Sequence, residues 1–459
     1  MEPCRVLVPA GVLGAGCPQD AFDRGLALAP HAIAVDGGST DSGPFYLGRG
    51  VSKMTRQATK RDLRQAMLGR AALGVPLLIG SCGTSGSDAG VDWMADICRE
   101  IAEEEGQTVA VALVYSEQEV ARLETLRQGG RVTPLAPMGP LAPETLAGCD
   151  HVVALMGWEP LAAAVAAGAD IVLAGRTTDT AVLAAVPLMR GLHAGGAWHA
   201  AKVAECGGLC AVQSRRGGVI FTVDGEGFEI EPLAADNACT PETVSAHMLY
   251  ENADPYRLTE PGVVLDVEGA SYAAVDYRRV RVTGSTTRAT PYTMKLEGSG
   301  PAGFRTMVFS AIADPKVLAA FDGWRAALRE YLETQIAAVL GLERADYDLQ
   351  LRAYGHDALS PAPPGGAPAR EIGLMALVTA ATQARATEIA KFCNPVLLHF
   401  PLNLDDPLPS FAFPFSPAEV ELGPVFAFKL NHVVAVDDPL ELVRTSLHRY
   451  GSEASHAAA

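Results

Sequence analysis

Residues 168–180, GADIVLAGRTTDT, combine a short apolar run with a glycine-containing loop, a pattern that recurs in the first part of this chain. The apolar run at 170–173 has the composition of a buried strand, and a loop containing Gly175 and Arg176 follows it directly. Similar apolar runs lie at residues 5–8, 31–35, 76–79, 109–114 and 151–155, and stretches with helical spacing lie at 60–73, 91–104 and 159–167. This alternation predicts an α/β fold, a parallel sheet with helices on both faces.

The pattern changes near residue 217, where shorter apolar runs are separated by Gly, Asp and Pro. We expect strands at 219–223, 228–230, 262–265 and 280–282, a helix at 315–340, a linker at 359–368, a helix at 379–393, an apolar run at 396–400 and a strand at 425–436. The sequence therefore predicts three regions. They are a parallel-sheet domain at 1–216 with glycine-rich ligand loops, a mixed-sheet α+β portion with a long helix at 217–358, and a smaller C-terminal α+β segment at 369–459.

The acidic composition restricts the classes of partner. The chain has 459 residues and a formal net charge of −17, and no cluster of basic residues, so we do not expect it to bind nucleic acid. Its nine cysteines form no C-x-x-C pair, its N-terminus lacks a signal-peptide pattern, and charges interrupt its most apolar stretch. We therefore expect a cytoplasmic protein with reduced thiols and no membrane span. The apolar content, 49%, favours a homo-oligomer.

Three glycine-rich loops that follow predicted strands, at residues 36–44, 80–88 and 174–180, carry the candidate site. Ligands of open parallel sheets bind beyond the carboxyl ends of the strands, where backbone N–H groups and hydroxyls can hold an anion. We therefore predict a small anionic substrate. The candidate substrate-binding residues are Ser39, Thr40, Ser81, Thr84, Arg176 and Thr177. The candidate bases or metal ligands are Asp36, Asp41 and Asp179.

Four further residues are candidates for catalysis. Cys82, in a Gly/Ser loop, is either a nucleophile or a small packing residue. His199 shares a predicted helix face with Cys206 and is a general base, a zinc ligand or a buried structural histidine. Lys295 and Glu297 lie on one side of a predicted strand, as a proton-transfer pair or an exposed ion pair. No cofactor can be identified, and a divalent metal ion is one candidate.

Several longer stretches carry a family resemblance. They are residues 36–48 (DGGSTDSGPFYLG), 79–92 (IGSCGTSGSDAGVD), 168–184 (GADIVLAGRTTDTAVLA), 198–207 (WHAAKVAECG), 239–255 (CTPETVSAHMLYENADP), 291–298 (PYTMKLEG), 412–424 (AFPFSPAEVELGP) and 432–439 (HVVAVDDP). In these stretches the chain resembles the acyclic terpene utilization AtuA family.

The resemblance implies a catabolic role in the degradation of acyclic terpenes such as citronellol and geraniol, or in the use of organic acids. The resemblance does not imply a defined reaction. The sequence departs from the family pattern at Cys82, where small residues are usual, which weakens the case for a shared catalytic thiol. It also departs at residues 402–410, LNLDDPLPS, which replace a more polar segment and could alter the substrate or the oligomer contacts.

The leading hypothesis is an enzyme that abstracts a proton from a small organic acid or acyl thioester: a lyase, hydratase or isomerase. One alternative is a hydrolase or acyl transferase that uses Cys82 or Ser81. A second is a nucleotide-dependent enzyme, since residues 36–40 are similar to a kinase phosphate loop, although no loop matches a defined nucleotide fingerprint. A third alternative is a non-catalytic subunit of a catabolic complex, since the aromatic–proline run near the C-terminus fits an assembly surface.

Overall fold

Short strands and helices alternate through the first part of the chain, and longer strands follow. The computed structural model describes residues 2–360, 369–403 and 405–451. The strands are β1 (Cys4–Val8), β2 (Ala32–Asp36), β3 (Leu77–Gly80), β4 (Val109–Tyr115), β5 (Val132–Pro134), β6 (His151–Ala154), β7 (Ile171–Ala174), β8 (Val219–Val223), β9 (Gly227–Pro232), β10 (Arg257–Glu260), β11 (Val263–Asp266), β12 (Ser271–Ala274), β13 (Val280–Thr283), β14 (Thr286–Ala289), β15 (Thr293–Ile312), β16 (Tyr347–Tyr354), β17 (Ile372–Ala380), β18 (Glu419–Ala435) and β19 (Arg444–Tyr450).

The helices cluster in the first part of the chain and recur late in it. They are α1 (Gln19–Ala27), α2 (Pro44–Arg49), α3 (Arg56–Leu73), α4 (Asp88–Glu104), α5 (Val120–Gln128), α6 (Pro143–Ala147), α7 (Glu159–Ala166), α8 (Asp179–Met189), α9 (Ala194–Ala204), α10 (Pro241–Ala246), α11 (Pro315–Ala319), α12 (Phe321–Gln335) and α13 (Gln383–His399). Short 3-10 turns lie at Thr40–Ser42, Gly207–Cys210 and His247–Leu249, and a π-helical turn lies at Ile336–Leu340.

The chain forms two compact units. The larger contains residues up to 300 together with those from 428 onward, and the smaller contains residues 301–427. These boundaries differ from those of the three predicted regions, because compact units are defined by contacts in space and the larger one is discontinuous in sequence. The division into regions 1–216, 217–358 and 369–459 stays a prediction.

A ten-stranded sheet forms the centre of the larger unit, in the order β12-β13-β9-β8-β1-β2-β3-β7-β4-β19. The block β1-β2-β3-β7-β4 is parallel, with Ile33 beside Leu77 and Leu78 beside Val172. The strands that flank this block pair antiparallel. The predicted α/β class is therefore confirmed. A separate three-stranded antiparallel sheet, β10-β11-β14, also belongs to this unit.

The parallel strands are buried on both faces. Val6 and Ala32 belong to an apolar cluster that includes residues of α7, α8 and α9. The alternate side chains Leu7, Ile33 and Leu77 belong to a second cluster, which includes residues of α1, α3 and α4. Strands covered in this way are continuous apolar runs, and this is why the sequence located them so closely.

Strand β6 lies where it was predicted but in a different pairing. It is not part of the parallel block, and instead pairs antiparallel with the start of β15, where Ala154 is opposite Leu296. Apolar composition indicates that a strand is buried but does not specify its partner. Just after β6, the N–H of Met156 donates to the carbonyl of Arg176 (2.9 Å). This pairing therefore places the start of β15 beside the loop that follows β7.

The smaller unit contains antiparallel strands and helices around an apolar core. The second part of β15 pairs with β17, and β17 pairs with β16. Helices α12 and α13 contribute to the core, which includes Trp324 and Leu328. The indole Nε1 of Trp324 donates to the carbonyl of Phe400 (3.1 Å), so its polar atom is satisfied within that core.

Two helices of this unit differ from the prediction. The helix expected at 379–393 begins later, because β17 continues to Ala380 and the Thr382 hydroxyl caps α13 by accepting from the N–H of Arg385. That helix also includes most of the apolar run at 396–400. The helix expected at 315–340 is interrupted at Ala320, where φ is −122°, and it ends in the π-helical turn.

The predicted linker at 359–368 lies mostly outside the described residues, which resume at 369. Within residues 2–360, 369–403 and 405–451, no helix is long and apolar enough to cross a bilayer.

Candidate active site

The loops that follow β2, β3 and β7 meet at one edge of the ten-stranded sheet. The N–H of Gly37 donates to the carbonyl of Gly80 (2.7 Å), and the N–H of Ser81 donates to the carbonyl of Gly175 (2.9 Å). The three predicted ligand loops therefore form one hydrogen-bonded surface at the carboxyl ends of the parallel strands, the position at which open α/β sheets bind ligands.

Two glycines make this close approach possible. A Cβ at Gly38, where φ is +140°, would lie 2.6 Å from Cα of Thr84. A Cβ at Gly86, where φ is +65°, would lie 2.2 Å from the backbone nitrogen of Arg176. Both positions combine a left-handed backbone with contact to a neighbouring loop, so only glycine satisfies them without strain.

Arg176 and Glu297 form a buried ion pair on this surface. Arg176 Nε donates to Glu297 Oε2 (3.1 Å), and each side chain is 7% exposed. The same oxygen accepts from Thr40 Oγ1 (3.0 Å), while Glu297 Oε1 accepts from Lys295 Nζ (3.0 Å). Arg176 Nη1 donates to Ser81 Oγ (3.1 Å). Because these protein groups occupy Arg176, the geometry favours a positioning role for it over the direct capture of an anion that the sequence suggested.

A cleft of about 520 Å³, here called the main cleft, has this ion pair in its wall. Its charged lining residues are the carboxylic side chains Asp41, Asp179, Glu205, Glu251, Glu260 and Glu297 and the cations Arg176, Lys202 and Lys295. A side pocket of about 180 Å³ shares four of these residues, and its wall also includes Asp36, Ser39, Thr84 and Cys206. All of these residues belong to the larger unit.

The carboxyl groups of the main cleft differ in their affinity for protons. Burial alone would raise the pKa of Glu297, but Arg176 and Lys295 outweigh it and lower that pKa to about 2. Burial raises the pKa of Glu260 to about 7, although hydroxyls of Thr178 and Thr180 donate to its carboxylate. At neutral pH Glu297 is therefore ionised, whereas Glu260 is close to half protonated.

Two aspartates are shifted in the same direction as Glu260. Burial raises the pKa of Asp179 despite the opposing charge of Arg176. Burial also raises the pKa of Asp36, and the charge of Asp179 adds to that shift. Asp36 Oδ2 accepts from the N–H of Gly38 (3.0 Å). When neighbouring carboxyl groups have pKa values shifted in opposite directions, one can act as a proton donor while the other stays ionised.

Lys202 and Glu205 add a second buried ion pair to the main cleft. Lys202 Nζ donates to Glu205 Oε1, and the two residues are 4% and 6% exposed. Burial lowers the pKa of Lys202, but the charge and hydrogen bond of Glu205 outweigh it and leave that pKa raised. Lys202 is therefore a positive charge held at the wall of the cleft.

Most of the predicted site residues come together here. Asp41, Arg176, Asp179, Lys295 and Glu297 line the main cleft. The side pocket is lined by Asp36, Ser39 and Thr84. Thr40, Ser81 and Thr177 lie behind the lining: Thr40 and Ser81 hydrogen-bond the ion pair, and Thr177 is fully buried. Their catalytic and binding roles stay predictions.

His199 lies outside both cavities. Its Nδ1 is 2.7 Å from Ser285 Oγ and its Nε2 is 3.1 Å from the Tyr272 hydroxyl, so both ring nitrogens have partners. The ring also contacts Phe228 edge-on, and burial lowers the pKa of His199 to about 3. These contacts favour the structural interpretation of His199. The expected helix is present as α9. Cys206 lies two residues beyond its end, where its thiol is grouped with Glu205 and His247.

Cys82 is enclosed in the apolar cluster beneath the sheet. Its side chain is 0% exposed, and its Sγ donates to the carbonyl of Ile79 (3.7 Å). Burial raises the pKa of this thiol, and the charge of Asp36 adds to the effect. A nucleophilic cysteine needs a stabilised thiolate and access to substrate, so the geometry favours packing as the role of Cys82.

Sequence reasoning did not select Glu260, Glu251 or Lys202 for the site. Glu260 ends β10, in a segment with no loop motif, and only the fold brings it to the loop after β7. Lys202 lies on the same predicted helix face as His199 and Cys206, but its position in the sequence gives no indication of burial. The hydroxyls of Thr178 and Thr180, which hold Glu260, were part of the quoted stretch at 168–180.

Comparison with known families identifies the family of this chain. The model of the acyclic terpene utilisation family protein AtuA matches residues 83–213 and 217–403, which is more than half of the chain. The chain belongs to the AtuA family. Membership connects it with the catabolic utilisation of acyclic terpenes, the role for which the family is named. No curated protein and no solved structure matches the chain significantly.

Proposed function

We propose that this AtuA-family protein is a catabolic enzyme that removes a proton from carbon next to the carboxylate or thioester carbonyl of a small acid. The reaction class is that of a lyase, hydratase or isomerase. The observation that carries the proposal is the pairing of a neutral-range carboxyl, Glu260, with the ionised Glu297–Lys295 pair in one cleft.

Glu260 is the proposed general base. An efficient base at neutral pH has a pKa near 7, because it is then often ionised and still holds a proton firmly. The hydroxyls of Thr178 and Thr180 fix its carboxylate, and they precede and follow Asp179 in the chain. Asp179, whose pKa burial raises, is the proposed acid that returns a proton to a leaving group or to a second carbon.

Lys295 and Lys202 are the proposed partners of the substrate anion. The Lys295 side chain is 41% exposed and is held by Glu297, so its remaining N–H bonds can reach a ligand in the cleft. Lys202 is a buried charge at the same wall. Preorganised positive charge beside a carbonyl stabilises the enolate that forms as the proton leaves. Glu297, with a pKa of about 2, is too weak a base for this step and orients Lys295 instead.

Deuterium exchange tests this proposal without knowledge of the complete reaction. The full chain is incubated in D2O with a panel of branched short-chain acids and their coenzyme A thioesters, and carbon-bound deuterium is measured by mass spectrometry. We expect at least one compound to exchange. Glu260→Gln should slow its exchange by about 10²–10⁴-fold.

The matched control is Glu268→Gln, which changes an exposed carboxylate of the same unit and should leave the rate unchanged. Equal exchange rates in Glu260→Gln and the unmodified chain would contradict the assigned base. A panel with no exchange, combined with thermal stabilisation by Mg·ATP, would favour the nucleotide-dependent alternative instead.

A further inference from the structure

Glu205, Cys206 and His247 bring three metal-ligating groups together beside the main cleft. One ligand atom from each lies within 4.8 Å of the others. Glu205 and Cys206 directly follow α9, and His247 begins the turn after α10. From this geometry we infer a binding site for a zinc-like divalent cation, with carboxylate, thiolate and imidazole ligands.

The state of His247 is an independent observation that points to a ligand. The residue is 5% exposed, and its Nε2 is buried without a hydrogen-bond partner among the described residues. Burial, with a contribution from the charge of Lys202, lowers the pKa of His247 to about 4, so the ring is neutral at pH 7. A buried imidazole nitrogen without a partner is costly, and coordination to a cation would satisfy it.

Glu205 and Cys206 supply the negative charge that such a cation needs. Lys202 occupies Oε1 of Glu205 and leaves Oε2 for a metal, in the way that outer partners commonly orient a ligating carboxylate. Burial raises the pKa of the Cys206 thiol, and the charge of Glu205 adds to that shift. The thiol therefore keeps its proton until a metal displaces it, and binding should release one proton.

The spacing requires only a modest adjustment. Zinc bonds of about 2.0–2.3 Å hold tetrahedral ligands about 3.3–3.8 Å apart, so ligand atoms within 4.8 Å of one another need to approach by at most about 1.5 Å. Three protein ligands leave one coordination position, and Glu205 and Cys206 both line the side pocket. On the proposed function, that open position would take the carboxylate or carbonyl oxygen of the substrate.

A second cluster of similar composition lacks these properties. Asp322, His356 and Asp357 of the smaller unit also lie within 4.8 Å of one another. There, however, Arg325 donates to both carboxylates and His356 Nε2 is 2.9 Å from Asp322. Its charges and ring nitrogen are already satisfied.

The test is a titration of the chelator-treated full chain with Co²⁺, followed by displacement with Zn²⁺. We expect one equivalent of Co²⁺ to produce a thiolate-to-cobalt charge-transfer absorption, which Zn²⁺ abolishes. Cys206→Ser should lose that absorption, and His247→Gln should lose tight binding. The matched control, Cys149→Ser, removes another half-buried thiol of the same unit and should bind as the unmodified chain does.

A measurement on the unmodified chain keeps the inference testable if a variant fails to fold. Excess iodoacetamide at about pH 9 should modify Cys206 only slowly in the metal-free protein, because the raised pKa of this thiol leaves little thiolate, and one equivalent of Zn²⁺ should block that modification. Rapid alkylation that Zn²⁺ leaves unchanged would overturn the metal site and indicate a nucleophilic thiol beside His247. Absence of the cobalt absorption would also overturn it. These measurements use no substrate, so failed deuterium exchange with intact metal binding would contradict only the proposed reaction.

Discussion

The two units of the molecule differ in how deeply their ion pairs are buried. At the sheet edge of the larger unit, Arg176 and Glu297 are each 7% exposed and take part in a connected set of buried polar groups. In the smaller unit, Arg325 and Asp357 form a pair that is 23% and 29% exposed, above a core of apolar side chains. Burial of a charge reduces stability unless the charge is paired. The ion pair of the larger unit therefore has a desolvation penalty that the more exposed pair of the smaller unit does not have. Such a cost is typical of a site built for chemistry.

Removal of one partner from the buried pair should have the largest effect. Arg176→Met leaves the Glu297 carboxylate buried without its guanidinium, and we expect a loss of about 3–5 kcal/mol in the free energy of unfolding. Arg325→Met is the matched change in the smaller unit and should cost about 1 kcal/mol or less. Urea denaturation of both variants measures the difference. Equal losses would show that the two regions do not differ as described.

The pH dependence of stability is a second test of the buried ionisable groups in the larger unit. The pKa of Glu260 is about 7 in the folded chain and near 4.5 when unfolded, so the folded state binds more protons between these values. Stability due to this group is therefore present below about pH 4.5 and is lost as the pH rises to 7, by at most about 3 kcal/mol. Glu260→Gln should remove that loss.

The measurement is urea denaturation of both proteins at pH 5 and at pH 7.5. The unmodified chain should lose stability relative to Glu260→Gln between these two values. A constant difference between the two proteins would mean that the pKa of Glu260 is ordinary, and it would remove the main support for this residue as the base.

The smallest effect on function is expected at His199. His199→Leu leaves the hydroxyls of Ser285 and Tyr272 without their partner and should reduce stability by about 1–3 kcal/mol. The deuterium-exchange rate per folded molecule should not change. Tyr272→Phe, which removes one of the two hydrogen bonds, is the control and should cost less. If folded His199→Leu showed a much slower deuterium exchange, the structural interpretation would be wrong and His199 would again be a candidate catalytic residue.

Sequence reasoning recovered the parallel block well because buried strands and glycine loops leave local patterns. The loop that contains Arg176 and Asp179 could be located from its strand and glycine alone. The pairing of β6 with β15 and the position of Glu260 in the main cleft depend on contacts between distant segments. A single sequence has no periodic pattern that indicates such contacts. The interpretation of His199 depended on burial, since a histidine on a helix looks the same whether it faces a cleft or Tyr272.

The tight contacts at Gly38 and Gly86 have a consequence for how this site can diversify. Because a side chain at either position would collide with a neighbouring loop, the three loops at the sheet edge behave as one interlocked piece that tolerates change poorly. Asn252 and Leu258, which are only partly buried, line the main cleft from a segment outside those three loops. Efforts to redirect the substrate range should therefore begin at these two positions and leave the interlocked loops intact.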